Sequence, residues 1–214
     1  MATPTARTDA HSAGSVRKHR TQAERSERTR ELLLDATVEC LVEMGYARTT
    51  VQEICQRAGL SRGAQQHHFT TKAELMTSAL EHLFKRLSEQ ILAATAELPS
   101  GPERIEAGID LLWRAYSGTL STAAVELWVA ARTDPELRRT LLPVDRALGH
   151  ATLEFYREIM GASVDDGRLN TLVLLTVNLV RGLALDAMIG GDERRRTTLL
   201  AEWKTLVSEQ FGRR

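Results

Sequence analysis

Residues 59–69 read GLSRGAQQHHF and concentrate side chains of types that recognise nucleic acid. Arginine can donate two hydrogen bonds to O6 and N7 of guanine, glutamine can pair with N6 and N7 of adenine, and histidine can donate to phosphate. Leu60 and Phe69 are the large apolar residues of the stretch, so we expect both to turn inward as anchors. The residues then expected to face an outside partner are Arg62, Gly63, Gln65, Gln66, His67 and part of His68.

Small residues and flanking polar residues fit the same chemistry. Gly63 and Ala64 keep the start of the segment slim, which lets backbone N–H groups and the positive end of a helix approach a phosphate or a base edge. Thr49 and Thr50 precede the segment and Lys72 follows it. Their hydroxyl and ammonium groups are of the kind that bind the sugar-phosphate backbone. We therefore include all five among the candidate nucleic-acid contacts.

Structural roles are the alternatives for three of these residues. In that case one of Gln65 and Gln66 packs its stem against the first helix, and His68 is a structural histidine bonded to the backbone. A metal site is not predicted, because adjacent histidines such as His67 and His68 point about 100° apart on a helix. In addition, no Cys, Asp or Glu stands at ligand spacing beside them.

The elements that position these residues are predicted to be helices, since helical spacing recurs along the chain and no window shows sustained β alternation. Four Ser/Thr-x-x-Glu capping boxes, a signature of helix starts, begin at Thr50, Thr71, Ser100 and Thr133. We predict an all-α chain, with a break in the seventh helix at Pro143. The expected helices lie near 23–44, 51–58, 62–68, 72–97, 102–118, 121–132, 135–160, 168–189 and 192–211.

The two short helices near 51–58 and 62–68 form a predicted helix-turn-helix. Gly59 permits the tight left-handed turn between them, and Ser61 caps the second helix. Helices this short are not stable alone. The helices near 23–44 and 72–97 are therefore expected to supply their core, with Gly45 ending the first of these.

Composition excludes several classes of protein. Of 214 residues, 43% are hydrophobic and 26% are charged, as in an ordinary globular protein. The sequence has neither a secretion signal nor a run of about 18 apolar residues, so we expect a cytoplasmic protein without a membrane partner. Cys40 and Cys55 lie in apolar helical patterns and are expected to be buried free thiols.

The N-terminal end is basic, although the net charge of the whole chain is zero. The first thirty residues carry seven Lys or Arg against three Asp or Glu. We expect residues 1–22 to be a disordered basic arm. A compatible alternative is that this arm contacts an anionic partner.

Residues 31–76, and especially TTVQEICQRAGLSRGAQQHHFTTKAEL at 49–75, resemble the DNA-binding domain of TetR-family transcriptional regulators. The family pattern of the second short helix is Ser-Lys/Arg-Gly-Thr/Ala-Leu-Tyr-His/Tyr-His-Phe, followed by a Lys. Gln65 and Gln66 replace its usual Leu-Tyr pair. The matching residues are Ser61, Arg62, Gly63, Ala64, His67, His68, Phe69 and Lys72.

The resemblance implies roles for these residues and a division of the chain. It implies that Arg62, Gly63, Ala64 and His67 contact DNA, as do Thr50 and Lys72 through phosphates. It also implies a three-helix helix-turn-helix DNA-binding domain at residues 23–72, and a helical effector-binding and dimerisation domain at 73–214.

The C-terminal half carries most of the aromatic residues, and helical spacing gives each of them a core role as its first interpretation. The resemblance adds a small-molecule pocket in this half. Trp113, Tyr116 and Trp128 are then its candidate walls, and Arg132 or Arg114 its polar anchor.

Residues 169–189 are apolar on more than one face, so a single partner surface does not cover them. Either a second subunit covers the rest, or the helix is central in a monomer. The resemblance implies a homodimer through helices near 168–189 and 192–211. Two copies would then read a palindromic operator with half-sites about 34–36 Å apart.

The leading hypothesis is a homodimeric TetR-like repressor that binds double-stranded DNA and is released by an unknown small-molecule effector, with no cofactor and no enzymatic activity. One alternative is a DNA-binding dimer without an effector. Another is a helical enzyme acting on a small apolar substrate. No Ser/Cys-His-acid set, Gly-rich phosphate loop or metal-ligand cluster supports the enzyme.

Overall fold

The computed structural model describes residues 21–101, 103–160 and 166–211, and all regular structure within these ranges is helical. Residues 1–20 of the predicted basic arm lie outside the described residues. The nine helices of the described part are α1 Gln22–Arg48, α2 Val51–Ala58, α3 Arg62–His68, α4 Lys72–Thr95, α5 Glu103–Tyr116, α6 Thr119–Ala131, α7 Pro135–Met160, α8 Asp166–Met188 and α9 Glu193–Phe211.

Helix ends follow local chemistry. Thr50 and Thr71 cap α2 and α4 as predicted, since their hydroxyl oxygens each accept from the backbone N–H three residues on, at 3.1 Å. The cap of α7 differs from the prediction: the carboxylate of Asp134, and not Thr133, accepts from the N–H groups of Glu136 and Leu137 at 3.0 Å. The box at Ser100 includes residue 102, which lies outside the described residues.

Gly45 interrupts α1 as expected, although the helix resumes for one further turn. Its φ of 75° and ψ of 167° lie in a region essentially reserved for glycine. A side chain here would also meet the carboxylate of Glu126, because an added Cβ would lie 2.7 Å from its Oε2. The chain therefore passes close to α6 at this residue.

The predicted break at Pro143 is wrong, because α7 continues through it. Proline removes one helical hydrogen bond, but α7 packs against both α4 and α6. Leu141, Val144 and Leu148 beside the proline are buried in the core. This burial holds the helix together across the missing bond.

Two hydrophobic clusters form the core. The first joins α1–α4 to α6 and α7, and its most buried members include Leu33, Ile54, Leu75, Leu127 and Leu137. The second joins α5 to α7, α8 and α9 through residues such as Leu112, Tyr156, Val173, Val180 and Leu200. The predicted division at residue 72 is therefore not marked by a break in the core.

Residues 167–188 of α8 are long and apolar enough to span a membrane by length and composition alone. In the folded chain this helix packs against α5, α6 and α7. Val173, Val180 and Ala184 are among its buried residues. The core helices of folded bundles share these properties.

Candidate DNA-binding surface and ligand cavity

Helix α3 is held in place by residues at its two ends. Gly59 adopts φ 66° and ψ 32°, and the next N–H, that of Leu60, donates to the carbonyl of Cys55 at 2.9 Å. The hydroxyl of Ser61 accepts from the N–H of Ala64. At the other end Phe69 is buried in the first core cluster, and Leu60 packs against that cluster. Both predicted anchors are therefore confirmed.

The outward side of α3 carries the predicted polar residues. Arg62, Gly63, Gln66 and His67 are exposed, while Ala64 and His68 are half-buried. Thr50 at the start of α2 is also exposed. We call the set Thr50, Arg62, Gly63, Ala64, Gln66, His67 and His68 the α3 surface.

Two of the candidate DNA contacts are buried. Gln65 is 3% exposed, and its amide Nε2 donates to the carbonyl of Phe69 at 2.8 Å. Thr49 is fully buried, and its hydroxyl donates to the carbonyl of Gly45 at 2.8 Å. Both side chains bond to the backbone of their own domain, so the expectation that Gln65 faces outward is wrong. The alternative in which one glutamine packs inward therefore holds for Gln65.

Lys72 is directed towards protein. Its ammonium donates to the carbonyl of Tyr46 at 3.1 Å and lies 4.1 Å from the centre of the Tyr46 ring. Burial lowers the pKa of Lys72, with a smaller opposing effect from Asp134. The ammonium of Lys72 thus joins the start of α4 to the last turn of α1, and its expected phosphate contact stays a prediction.

The histidine pair combines two environments. The rings of His67 and His68 meet edge to face, with centroids 5.3 Å apart. Burial is the main cause that lowers the pKa of His68, followed by the nearby charges of His67 and Arg30. His67 is exposed and His68 is half-buried, so His67 is the better placed of the two to reach an outside partner.

A polar groove beside α3 adds residues that the sequence reasoning missed. Its volume is about 690 Å³, and α1 lines one side of it. The start of α1 is fixed by a full capping box between Thr21 and Glu24. The Thr-x-x-Glu pattern of Thr21 and Glu24 is the sequence signal that could have located this helix start, and with it the groove. The groove residues from α1 are Gln22, Ala23, Arg25, Ser26 and Thr29, opposite Ala64, His67 and His68.

Tyr46 connects the helix-turn-helix to the rest of the chain. Its N–H donates to Oε2 of Glu126 on α6, and its hydroxyl donates to Oδ2 of Asp134 ahead of α7, both at 2.8 Å. The N–H of Leu137 first, and then the Tyr46 hydroxyl, hold the pKa of Asp134 below its usual range. Burial and Asp134 raise the pKa of Tyr46. We call Gly45, Tyr46, Lys72, Glu126 and Asp134 the Tyr46 junction.

A largely apolar cavity of about 570 Å³ lies between α4, α5, α6 and α7. Of the predicted wall residues, Tyr116 lines this cavity. Trp128 and Arg132 instead line a separate cavity of about 210 Å³. Arg181 holds Trp128 from one side, with Cζ 4.6 Å from the ring centre, and Asp145 accepts from its Nε1 at 3.0 Å.

The remaining predicted pocket residues lie elsewhere. Trp113 packs against the second core cluster, and Arg114 is exposed on α5. Neither lines the two cavities described above. Helical spacing alone could not separate these positions, because the cavity walls come from four helices that meet only in the folded chain.

An apolar stripe remains exposed on α8 and α9. Ile189 is 81% exposed, and leucines along the same two helices are about half exposed. Apolar residues that are exposed together are typical of interaction surfaces, whereas single scattered ones are ordinary. Its leucines are Leu174, Leu175, Leu185, Leu199 and Leu206.

Comparisons with known proteins agree with this arrangement. Residues 33–79 match the model of the bacterial regulatory proteins of the tetR family. An uncharacterised HTH-type transcriptional regulator of Mycobacterium bovis is 33% identical over 170 residues, covering 78% of this chain and 86% of the relative. The HTH-type transcriptional regulator CymR of Pseudomonas putida is 32% identical over 199 residues, covering 92% and 97%.

A solved structure extends the likeness to the whole fold. The chain superposes with a TM-score of 0.67 on a transcriptional regulator from Saccharomonospora viridis, solved in complex with choline. The match covers 88% of this chain and 100% of the other, at 15% identity. At that identity the match speaks for the fold alone.

Proposed function

This chain belongs to the TetR family of bacterial regulatory proteins, and we propose that it is a homodimeric transcriptional repressor that binds a palindromic operator and is released by a small-molecule effector. The observation that carries the proposal is the α3 surface, in which a helix pinned by Leu60 and Phe69 leaves its polar side exposed. The relatives are named as regulators, and we assign no catalytic role to the chain. A bacterial gene regulator acts in the cytoplasm.

The α3 surface supports reading of the major groove. Arg62 and Gln66 are exposed and bear the side chains suited to base edges. Thr50 and the α1 side of the polar groove flank them, where backbone phosphates pass beside a recognition helix. In this arrangement the side chains of α3 contact the bases. The flanking residues bind phosphates and so fix the position of α3 along the DNA.

The exposed stripe on α8 and α9 supports dimerisation. A second copy placed on it would bury leucines that a monomer leaves in water, at about 25 cal/mol for each Å² covered. Two-fold symmetry then presents two α3 surfaces. A dimer reads two half-sites together, which one seven-residue helix cannot do.

The cavity supports an effector. Phe84, Leu87 and Ile91 of α4 line it, and the same helix begins at Lys72 beside the α3 surface. A ligand that favours one placement of α4 therefore shifts the position of α3, by its differential affinity for the two states. The Tyr46 junction offers a second connection, from α6 to the last turn of α1. The choline complex of the Saccharomonospora viridis regulator is consistent with a ligand inside this fold.

An electrophoretic shift assay tests the proposal. The full-length protein should shift duplex DNA from upstream of its own gene at moderate salt, and Arg62→Ala should weaken the shift. Arg114→Ala, which removes an exposed arginine from α5, is the matched control and should shift DNA as the parent does. If neither the upstream DNA nor a pool of random duplexes shifts at moderate salt, the proposal fails.

A further inference from the structure

The apolar cavity has one charged corner, formed by Glu154 and Arg157 of α7. Nη1 of Arg157 donates to Glu154 at 2.5 Å, and Nη2 donates to Oδ1 of Asn170 on α8 at 3.0 Å. The third nitrogen, Nε, is shielded from solvent and has no hydrogen-bond partner among the residues that the structure describes. A guanidinium in the wall of an apolar cavity therefore retains an unused, buried N–H.

We propose that the effector is a small amphipathic acid, whose carboxylate binds Arg157 and whose apolar part fills the cavity. This inference rests on the proposed function, because it names the chemical class of the effector assigned there. Once the guanidinium turns from Glu154 towards the cavity, the bound carboxylate would accept from Nε and from one Nη of Arg157, the two-bond arrangement that guanidinium groups make with carboxylates. The buried Nε–H would then be satisfied.

The exposures of the two charged residues favour an anion over a cation. The side chain of Arg157 is 36% exposed, whereas that of Glu154 is 68% exposed. Leaving a buried N–H without an acceptor costs free energy, and an incoming acceptor recovers it. The Glu154 side chain is already largely solvated. Its ion pair with Arg157, three residues along the helix, is exposed and contributes little free energy. The carboxylate of an acid can therefore replace Glu154 as the partner of Arg157, while the Glu154 side chain moves into solvent.

The remaining walls favour an apolar body of modest size. Phe84, Leu112, Tyr116 and Phe155 contribute to them. The hydroxyl of Thr152, which also lines the cavity, already donates to the carbonyl of Leu148 within its own helix. About 570 Å³ falls within the range of roughly 300–1,000 Å³ that small-molecule sites occupy. Arg157 is the cationic residue of this lining, and the apolar walls suit the body of an amphipathic ligand.

A headgroup series on one tail tests this. Octanoate, octanamide and octyltrimethylammonium would each be titrated into the full-length protein by calorimetry, below their micellar concentrations. Octanoate should bind about tenfold or more tightly than the other two. Equal affinity for octanamide, tighter binding of the quaternary ammonium, or no binding of octanoate at millimolar concentration would each overturn the proposal.

Variants locate the anchor. Arg157→Gln should weaken octanoate about tenfold or more and leave octanamide unchanged, and Arg157→Lys should fall between Gln and the parent because it keeps the charge but loses the fork. Arg114→Gln is the control and should bind octanoate as the parent does. Unchanged octanoate affinity in both Arg157 variants, with melting curves like the parent's, contradicts the assignment.

The ligand titration needs no DNA, so its outcome is separate from that of the operator assay. A protein that shifts DNA but ignores octanoate retains the proposed function and loses this inference. One that binds octanoate through Arg157 but shifts no DNA loses the proposed function and retains the acid site.

Discussion

At the scale of single residues, two adjacent glutamines lie in opposite environments. Gln65 is 3% exposed and bonds to the backbone of Phe69, whereas Gln66 lies exposed on the α3 surface. The sequence identified both as departures from the family pattern. It could not tell which of the two is buried, because side chains of neighbouring residues on a helix point about 100° apart. Which one turns inward depends on where α1 and α4 pack.

Gln66→Ala should change the base preferred at one position of each half-site, with a discrimination loss of about 1–3 kcal/mol if the amide pairs with adenine. Competition binding against single-base operator variants measures this. Gln90→Ala, which removes an exposed glutamine from α4, should leave the preference unchanged. An unaltered preference in Gln66→Ala would remove this residue from base reading.

The ionisation of Asp134 makes part of the free energy of unfolding depend on pH in the acid range. Hydrogen bonds from Leu137 and Tyr46 lower its folded-state pKa, so its contribution is present above the unfolded-state value. That contribution should be lost as the pH falls through and below the ordinary aspartate pKa of about 3.9. In urea unfolding, Asp134→Asn should lose less free energy between pH 5 and strong acid than the parent, since Asn still caps a helix. Parallel pH curves for the two proteins would contradict this.

At the scale of elements, periodicity and caps predicted all nine helices of the described residues. Apart from the end of α1, their ends lie within two residues of the prediction. The errors have physical causes. Burial of α7 against two helices outweighs the bond lost at Pro143, and the backbone of Gly45 bends where α1 meets Glu126.

Gly45→Ala should destabilise the protein more than Gly59→Ala. Both residues have positive φ, but Gly45 occupies the glycine-only region, where strain costs about 1–3 kcal/mol, and its new Cβ would also meet Glu126. An added Cβ at Gly59 meets open space. Urea unfolding measures both losses, and Glu126→Ala should relieve part of the loss at residue 45. A loss at residue 45 no larger than that at residue 59 would refute this account of the bend.

At the scale of the whole molecule, the long-range contacts could not be predicted from the sequence. Tyr46 bonds to Glu126 and Asp134, which lie 80 and 88 residues away, and no local pattern announces such a pair. The same holds for the cavity, where Tyr116 was expected as a wall and Arg157 was not. The apolar excess of residues 169–189 was visible in the sequence, since it depends on composition alone.

Leu175→Glu should convert the proposed dimer to a monomer and weaken operator binding strongly, because it places a charge in the exposed stripe of α8. Sedimentation at micromolar concentration measures the association state. Val129→Glu changes an apolar residue on α6 that is 63% exposed, against 54% for Leu175, and should remain a dimer. A Leu175→Glu protein that sediments and binds DNA as the parent does would exclude this stripe as the interface.

Selection of bound sequences from a random duplex pool tests the central claim most directly. The full-length protein at moderate salt should enrich an inverted repeat whose half-site centres are about one helical turn, or 10–10.5 base pairs, apart or a multiple of it. Arg62→Ala should enrich a degraded form of that repeat. Failure of the full-length protein to enrich any sequence over the starting pool would contradict an operator-binding repressor.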